Sequence, residues 1–135
     1  MTGTELVRGW FDHSPFANKL DMRIERLDTD EAELLVPYDE SLATYGDVVH
    51  GGAIATAVDV AATLASWSGA EIGESARGAT IGVTVDYVRA ARGSDLRATA
   101  RVVRRGGTVC FNEVEVKRAD GEVVAKGLVT YKVGS

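Results

Sequence analysis

A long apolar stretch in the first half of the chain constrains the fold more than any other feature. It extends from Val48 to Leu64, contains His50-Gly51-Gly52 near its start, and continues with alanines and branched apolar residues. Its length and composition predict a central helix over about residues 51–67, ended by Ser68-Gly69. A surface helix carries a polar face, and this one is apolar nearly all round. We therefore expect other elements to pack around it.

A single carboxylate, Asp59, interrupts this run. It is the only acidic residue between Asp47 and Glu71. A carboxylate that loses water in an apolar environment needs hydrogen-bond partners or a function. Thr56 and Thr63 lie three residues before it and four residues after it on the same helical face, and we expect that they can donate to it. Asp59 is then either a structural carboxylate, held by those hydroxyls or by the sheet, or a general base that activates water.

The glycines at the start of the predicted helix suggest a second reactive element. The first amides of a helix have no partner inside the helix and carry the positive end of its dipole. Glycine lets a ligand approach this backbone closely, so Gly51 is a candidate oxyanion hole. The alternative is that Gly51 and Gly52 only permit a tight turn from loop to helix.

Helix geometry limits how Gly51 and Asp59 can cooperate. Eight residues separate them, which corresponds to about 12 Å along a helix. A base and an oxyanion hole that act on one carbonyl must both lie within a few ångström of it. If both residues are catalytic, they come from different subunits. This predicts an obligate dimer with two equivalent sites, in which the alanine-rich face permits close helix approach.

The other periodicities place this helix in an α+β fold. A first helix is predicted over about residues 3–12, and a strand follows from Leu20 to Glu25. A second strand from Ala32 to Val36 completes a hairpin, and residues 38–49 form a loop. From Ala79 onward the chain is predicted to form strands. An antiparallel β-sheet wrapped around one long central helix fits this order, within a single domain of residues 1–135.

Composition excludes several classes of protein. The net charge of −5 argues against nucleic acid as a partner. Without an apolar run of roughly 18 residues, no membrane segment is expected, and the N-terminus lacks a signal-peptide pattern. We therefore expect a cytoplasmic protein. The single cysteine, Cys110, excludes an internal disulfide and a multi-cysteine metal site, and we interpret it as a small core residue.

Basic residues are grouped in the second half of the chain. They form either a solvated strand face or an anchor for the phosphates of a ligand. The groups are Arg89, Arg92 and Arg97, followed by Arg101, Arg104 and Arg105.

The central stretch resembles the His-Gly-Gly motif of hotdog-fold acyl-CoA thioesterases, particularly their PaaI-like (phenylacetate-pathway) branch. In that family a catalytic acid follows the histidine by nine residues, and His50 and Asp59 reproduce this spacing. Thr63 matches a hydroxyl residue four positions after the acid, and Thr80 is the nearest match to one that borders the site. Thr44 stands where the family commonly has Asn or Gln; it can donate a hydrogen bond to substrate or water but reaches less far.

The resemblance implies a hotdog fold and hydrolysis of an acyl- or aryl-CoA without a metal or a redox cofactor, since coenzyme A is part of the substrate. The thioester carbonyl would bind the Gly51 amide, oriented by His50. Asp59 of the neighbouring subunit would activate water, or would attack directly to form an anhydride. The acyl group would lie in an apolar pocket between subunits. The remaining residues assigned to substrate binding are Gly52, Thr44, Thr63 and Thr80, with Arg89, Arg92, Arg104 and Arg105 for the phosphates.

Two other functions stay open. A hotdog module could bind acyl-CoA without cleaving it, and this module would not need the carboxylate. A hotdog hydratase or dehydratase generally uses a differently spaced histidine and acid pair, which this sequence lacks. Members of the family self-associate as dimers and usually as dimers of dimers. The sequence gives neither the acyl group nor the choice between dimer and tetramer.

Overall fold

Six antiparallel strands form a sheet, and the longest helix of the chain lies against it. The computed structural model describes residues 1–73 and 75–134. The helices are α1 (Gly3–His13), α2 (Pro15–Lys19) and α3 (Gly51–Ser68), with a 3-10 turn at Glu40–Leu42. The strands are β1 (Arg23–Asp28), β2 (Glu31–Val36), β3 (Ala43–Tyr45), β4 (Val48–Val49), β5 (Arg77–Tyr87), β6 (Leu96–Arg105), β7 (Val109–Arg118) and β8 (Val123–Gly134).

The sheet order is β1-β2-β6-β7-β8-β5, and α3 packs against all six strands. This confirms the predicted α+β fold with one central helix, which is the hotdog arrangement. The predicted extent of the single domain includes residues 74 and 135, which lie outside the described residues. Within the described ranges, no helix has the length and apolarity needed to cross a membrane.

The central helix buries one face against the sheet. Ile54, Val58 and Leu64 on that face are at most 3% exposed. Small residues allow close approach: a Cβ on Gly127 of β8 would lie 2.5 Å from Cγ1 of Val58. The opposite face, which includes Asp59, is only half-buried. The expectation of a helix covered all round is therefore wrong for one subunit.

The first helix, α1, covers part of this open face. Thr2 caps α1 by accepting from the Glu5 amide at 3.1 Å, and the Glu5 side chain accepts from the Thr2 amide in return. A Cβ on Gly3 would lie 2.0 Å from the carbonyl oxygen of Trp67, so the start of α1 lies directly against the end of α3.

Two local predictions were wrong in detail. The strand predicted from Leu20 begins only at Arg23, because α2 occupies Pro15–Lys19 and Asp21 turns the chain at a φ of 52°. Pro15 ends α1, but it also begins α2, where proline is well tolerated. The loop predicted over residues 38–49 contains the 3-10 turn and the short β3–β4 hairpin.

Strand β5 forms an edge of the sheet. Within the described residues it pairs with β8 alone. It carries exposed apolar side chains, including Ile81 at 59% and Val83 at 41%. A β-bulge interrupts its register between Thr80 and Gly82. A long, exposed and apolar edge strand is prone to pair with another chain.

Candidate active site

Asp59 lines a groove of ≈ 970 Å³ between the α1–α2 pair, α3 and β5. The walls are largely apolar and aromatic. They include Leu6, Trp10, Phe16, Val60, Trp67 and Val83. Pockets of this size and lining are typical of sites for small molecules and for apolar groups of larger ligands.

One oxygen of the Asp59 carboxylate is held by the sheet. The Thr80 hydroxyl on β5 donates to Oδ1 of Asp59 at 2.6 Å. Among residues 1–73 and 75–134, no group donates to Oδ2 and no cation pairs with the carboxylate. The second oxygen is therefore open to a hydrogen bond from water or a ligand.

Thr56 and Thr63 do not bind the carboxylate, so the expectation that they can is wrong. The Thr56 hydroxyl donates to the Gly52 carbonyl at 2.8 Å, and the Thr63 hydroxyl donates to the Asp59 carbonyl at 2.9 Å. Both follow the local pattern in which a helical Thr bonds the carbonyl four residues earlier. Both side chains still line the groove.

His50 caps the N-terminus of α3. Its Nδ1 accepts from the Gly52 amide at 2.7 Å, so the neutral ring carries its proton on Nε2. This bond occupies the amide of Gly52. The Gly51 amide, by contrast, has no acceptor within the described part of the chain. Of the two glycines, Gly51 therefore presents the free donor that an oxyanion hole needs.

A tyrosine that the sequence reasoning missed completes this end of the helix. The Tyr87 hydroxyl, at the end of β5, donates to the Gly51 carbonyl at 2.9 Å. A Cβ on Gly51 would be in ordinary contact with the Tyr87 ring at 3.4 Å. The sequence shows only an aromatic residue at a strand end, which is too common to identify such a contact.

The two candidate catalytic elements are far apart within one subunit. Both lie on the single helix α3, eight residues apart, so about 12 Å separates them along its axis. One chain therefore does not bring the Gly51 amide and the Asp59 carboxylate to the same carbonyl.

The four candidate arginines do not form one patch. Arg92 pairs with Asp47 at 3.3 Å, near the Gly51 end of α3. Arg89 donates to the Val123 carbonyl at 2.6 Å. Arg105 instead donates to the Ser66 carbonyl at 2.8 Å, near the opposite end of α3.

Arg105 belongs to a partly buried polar cluster. It pairs with Asp30 at 2.7 Å and donates to Sγ of Cys110 at 3.1 Å. Burial raises the pKa of the Cys110 thiol, and Arg105 offsets this only in part. Arg104, which lies next to Arg105 on β6, is exposed, and Thr44 on β3 is also exposed.

The groove ends at a hydrogen-bonded aromatic pair. Nε1 of Trp67 donates to the Tyr131 hydroxyl at 2.8 Å. Burial raises the pKa of Tyr131, so its hydroxyl stays neutral. Gly78 permits this arrangement, because a Cβ there would lie 2.3 Å from the Tyr131 hydroxyl oxygen.

The sequence of this chain matches a known protein family. The family model described as the Thioesterase superfamily matches residues 46–125. The medium/long-chain acyl-CoA thioesterase YigI of Escherichia coli (strain K12) is 32% identical in an alignment 135 residues long, gaps included. The alignment covers 90% of this chain and 87% of the relative.

Solved structures share the whole fold. A crystal structure of a thioesterase family protein from Silicibacter pomeroyi matches with a TM-score of 0.89 and 28% identity, covering 97% of each chain. The PaaI protein from the phenylacetic acid degradation operon of E. coli matches with a TM-score of 0.84, covering 96% of this chain and 91% of that chain. At 19% identity, that match shows a common fold alone.

Proposed function

The chain belongs to the thioesterase superfamily, and on that premise we propose that it hydrolyses an acyl- or aryl-CoA to a free acid and coenzyme A. The observation that carries this proposal is the Asp59 carboxylate. It lies in an apolar groove, with one oxygen held by Thr80 and the other without a donor in the described chain. This arrangement suits a base that takes a proton from water.

A second copy of the chain supplies the other half of the site. The free edge of β5 supports an antiparallel pairing with the same strand of a partner about a two-fold axis. The half-buried face of α3 would then be covered by the partner's helix. Each of the two sites combines Asp59 of one subunit with His50 and Gly51 of the other, which removes the problem of their separation within one chain.

The proposed reaction begins with the thioester oxygen on the Gly51 amide. The free donor and the positive end of the helix dipole stabilise negative charge on that oxygen. His50 presents its Nε2 proton nearby and orients the carbonyl. Oδ2 of Asp59 accepts a proton from water as the water oxygen attacks the carbonyl carbon. The tetrahedral intermediate then expels the coenzyme A sulfur, which takes the proton that Oδ2 of Asp59 had accepted and leaves as the thiol.

A variant of this route uses Asp59 as the nucleophile. Oδ2 would attack the carbonyl carbon, release coenzyme A and form a mixed anhydride, which water then hydrolyses. Neither route needs a metal or a further cofactor. Hydrolysis in ¹⁸O-labelled water under single-turnover conditions separates them, because only the anhydride route allows label to enter Asp59.

The groove supports an extended acyl group as substrate. The α3 residues that line it extend from Ala55 to Trp67, which is about 18 Å of helix. The name of the relative YigI points to medium and long chains. We place the acyl group in this groove, closed on its open side by the partner, and keep Arg89 and Arg92 as phosphate ligands. Arg105 is not retained, because its side chain is only 24% exposed and its guanidinium is held by Asp30 and helix carbonyls. The side chains of Arg89 and Arg92 also have partners, but they are 45% and 61% exposed.

Thiol release from a panel of short-, medium-, long-chain and aryl-CoA thioesters tests the proposal. We expect turnover by the wild type and a loss of at least 10²-fold in kcat for Asp59→Asn. Binding of the panel without thiol release by the wild type would favour the non-catalytic module. Consumption of enoyl-CoA without thiol release would favour a hydratase.

A further inference from the structure

Strand β5 contacts both halves of the site. Near its start, the Thr80 hydroxyl donates to the Asp59 carboxylate at 2.6 Å. At its end, the Tyr87 hydroxyl donates to the Gly51 carbonyl at 2.9 Å. One strand thus holds the base at one position and the oxyanion amide at another.

A β-bulge makes both contacts possible. Thr80 and Tyr87 are seven residues apart, and in a regular strand an odd separation puts side chains on opposite faces. The bulge between Thr80 and Gly82 inserts one residue. As a result Thr80 lies opposite Tyr131 and Tyr87 lies opposite Ala125, both buried on the inner face of β8.

The Tyr87 bond is not required to complete the helix. The Gly51 carbonyl lies in the first turn of α3, and in an α-helix such a carbonyl accepts from the amide four residues later. Tyr87 is 52% exposed, and its hydroxyl makes no other hydrogen bond with the described residues. A second donor on a satisfied carbonyl, together with a ring against Gly51, restricts the position of that residue.

We propose that Tyr87 is a positioning residue that holds the Gly51 amide in place for the partner subunit's reaction. This inference rests on the proposed thioesterase function. Tyr87 acts through Gly51, and its effect is therefore on the stabilisation of the transition state rather than on substrate affinity.

If each site combines Asp59 of one subunit with Gly51 of its partner, the same contacts predict how two copies align. The midpoint between Tyr131 and Ala125 on β8 is Leu128, which lies opposite Thr84 of β5. Because the bulge adds one residue between Thr80 and Thr84, Thr80 and Tyr87 both lie three β8 positions from Thr84. A self-pairing of β5 centred on Thr84 therefore puts Thr80 of one subunit opposite Tyr87 of its partner. The Asp59 held by that Thr80 then lies near the partner's Gly51. The two residues are about 12 Å apart along α3 in one chain, but in the dimer each lies beside its counterpart from the other subunit.

The variant Tyr87→Phe tests this role, because it removes the hydroxyl and keeps the ring. We expect kcat to fall about tenfold, with KM within about twofold of the wild type, since the lost contact acts on the transition state. The thermal midpoint should stay at the wild-type value. A wild-type kcat would overturn the proposal, and so would a change in KM alone.

Mixed dimers separate positioning from a general structural effect. Heterodimers of Asp59→Asn and Tyr87→Phe subunits, isolated through two different affinity tags, contain one wild-type site, because both changes fall in the other site. We expect about half of wild-type activity from this two-fold arrangement. A heterodimer no more active than the Tyr87→Phe protein would overturn the proposal.

The matched control is a heterodimer in which one subunit carries Asp59→Asn and the other carries Thr80→Val instead of Tyr87→Phe. Thr80 holds Asp59 of its own subunit, so a heterodimer with Asp59→Asn has no wild-type site, and we expect about one twentieth of wild-type activity if Thr80→Val also costs tenfold. Recovery to half in this control would overturn the assignment of the two hydroxyls. A wild type inactive on every thioester would refute the proposed function itself, whereas an active wild type with a normal Tyr87→Phe variant refutes this inference alone.

Discussion

Replacing Gly51 by proline removes one N–H group and leaves the helix intact. Gly51 is the first residue of α3, the position at which proline is favoured because the amide has no helical partner. The preceding residue, His50, has φ −61° and ψ 135°, the region that a residue before proline prefers. A Cβ at Gly51 would meet the Tyr87 ring at 3.4 Å, an ordinary contact.

The expected loss follows from the role of that amide. Removal of one oxyanion donor costs about 10²–10³-fold in kcat, or about 2.7–4 kcal/mol. KM should change little, because the bond strengthens only as charge develops on the carbonyl oxygen. Gly51→Ala is the matched control. It adds a Cβ and keeps the N–H, so its kcat should stay within about threefold of the wild type.

Thiol release measured against concentration of a medium-chain acyl-CoA gives both kinetic constants, and a thermal melt reports the fold. We expect Gly51→Pro to melt at or above the wild-type temperature, because proline restricts the unfolded chain. The reasoning is refuted if Gly51→Pro keeps more than a tenth of wild-type kcat with the fold intact. It is equally refuted if Gly51→Ala loses as much activity as Gly51→Pro.

Three further predictions concern the fold. Gly127→Ala should lower the free energy of unfolding by about 1–3 kcal/mol, measured by urea denaturation, because the new Cβ would lie 2.5 Å from Val58. Gly9→Ala should instead raise it by up to about 1 kcal/mol, since Gly9 lies in α1 with nothing within 4 Å of its Cβ position. Cys110 should resist a thiol-specific reagent until the protein is denatured, because burial raises its pKa and leaves it 1% exposed.

The sequence predicts the central helix and singles out two candidate site residues on it, because each carries a strong local signal. The apolar run from Val48 to Leu64 is long, and glycines mark both ends of the helix that it predicts. Helix α3 starts at the residue predicted and ends one residue later. Asp59 stands out because it is the only acidic residue in this run, and a Gly51 amide without a helical partner follows from helix geometry. Their separation predicts a second subunit, and in residues 1–73 and 75–134 β5 has an unpaired edge at which a second copy could pair.

What the sequence does not predict depends on contacts between distant segments. The residues alone leave the donor to Asp59 open between the helical threonines and the sheet, and only the family resemblance names Thr80. The donor is Thr80, 21 residues away, whereas Thr56 and Thr63 bond backbone carbonyls of the helix. The contact between Tyr87 and Gly51 spans 36 residues and depends on a bulge that period-two counting does not detect. The groove is lined by residues of α1, α2, α3 and β5. The sequence does not predict α2, because a helix of five residues is too short to show a helical period.

Mixed dimers of Asp59→Asn and Gly51→Pro test most directly whether one site contains residues of two subunits. Each homodimer should be nearly inactive. If the half-sites combine across the two-fold axis, a heterodimer isolated through two tags carries one intact site and should show about half of wild-type activity. If each subunit contains a complete site, both subunits of the heterodimer are defective, and activity no higher than that of the homodimers would contradict the two-subunit mechanism.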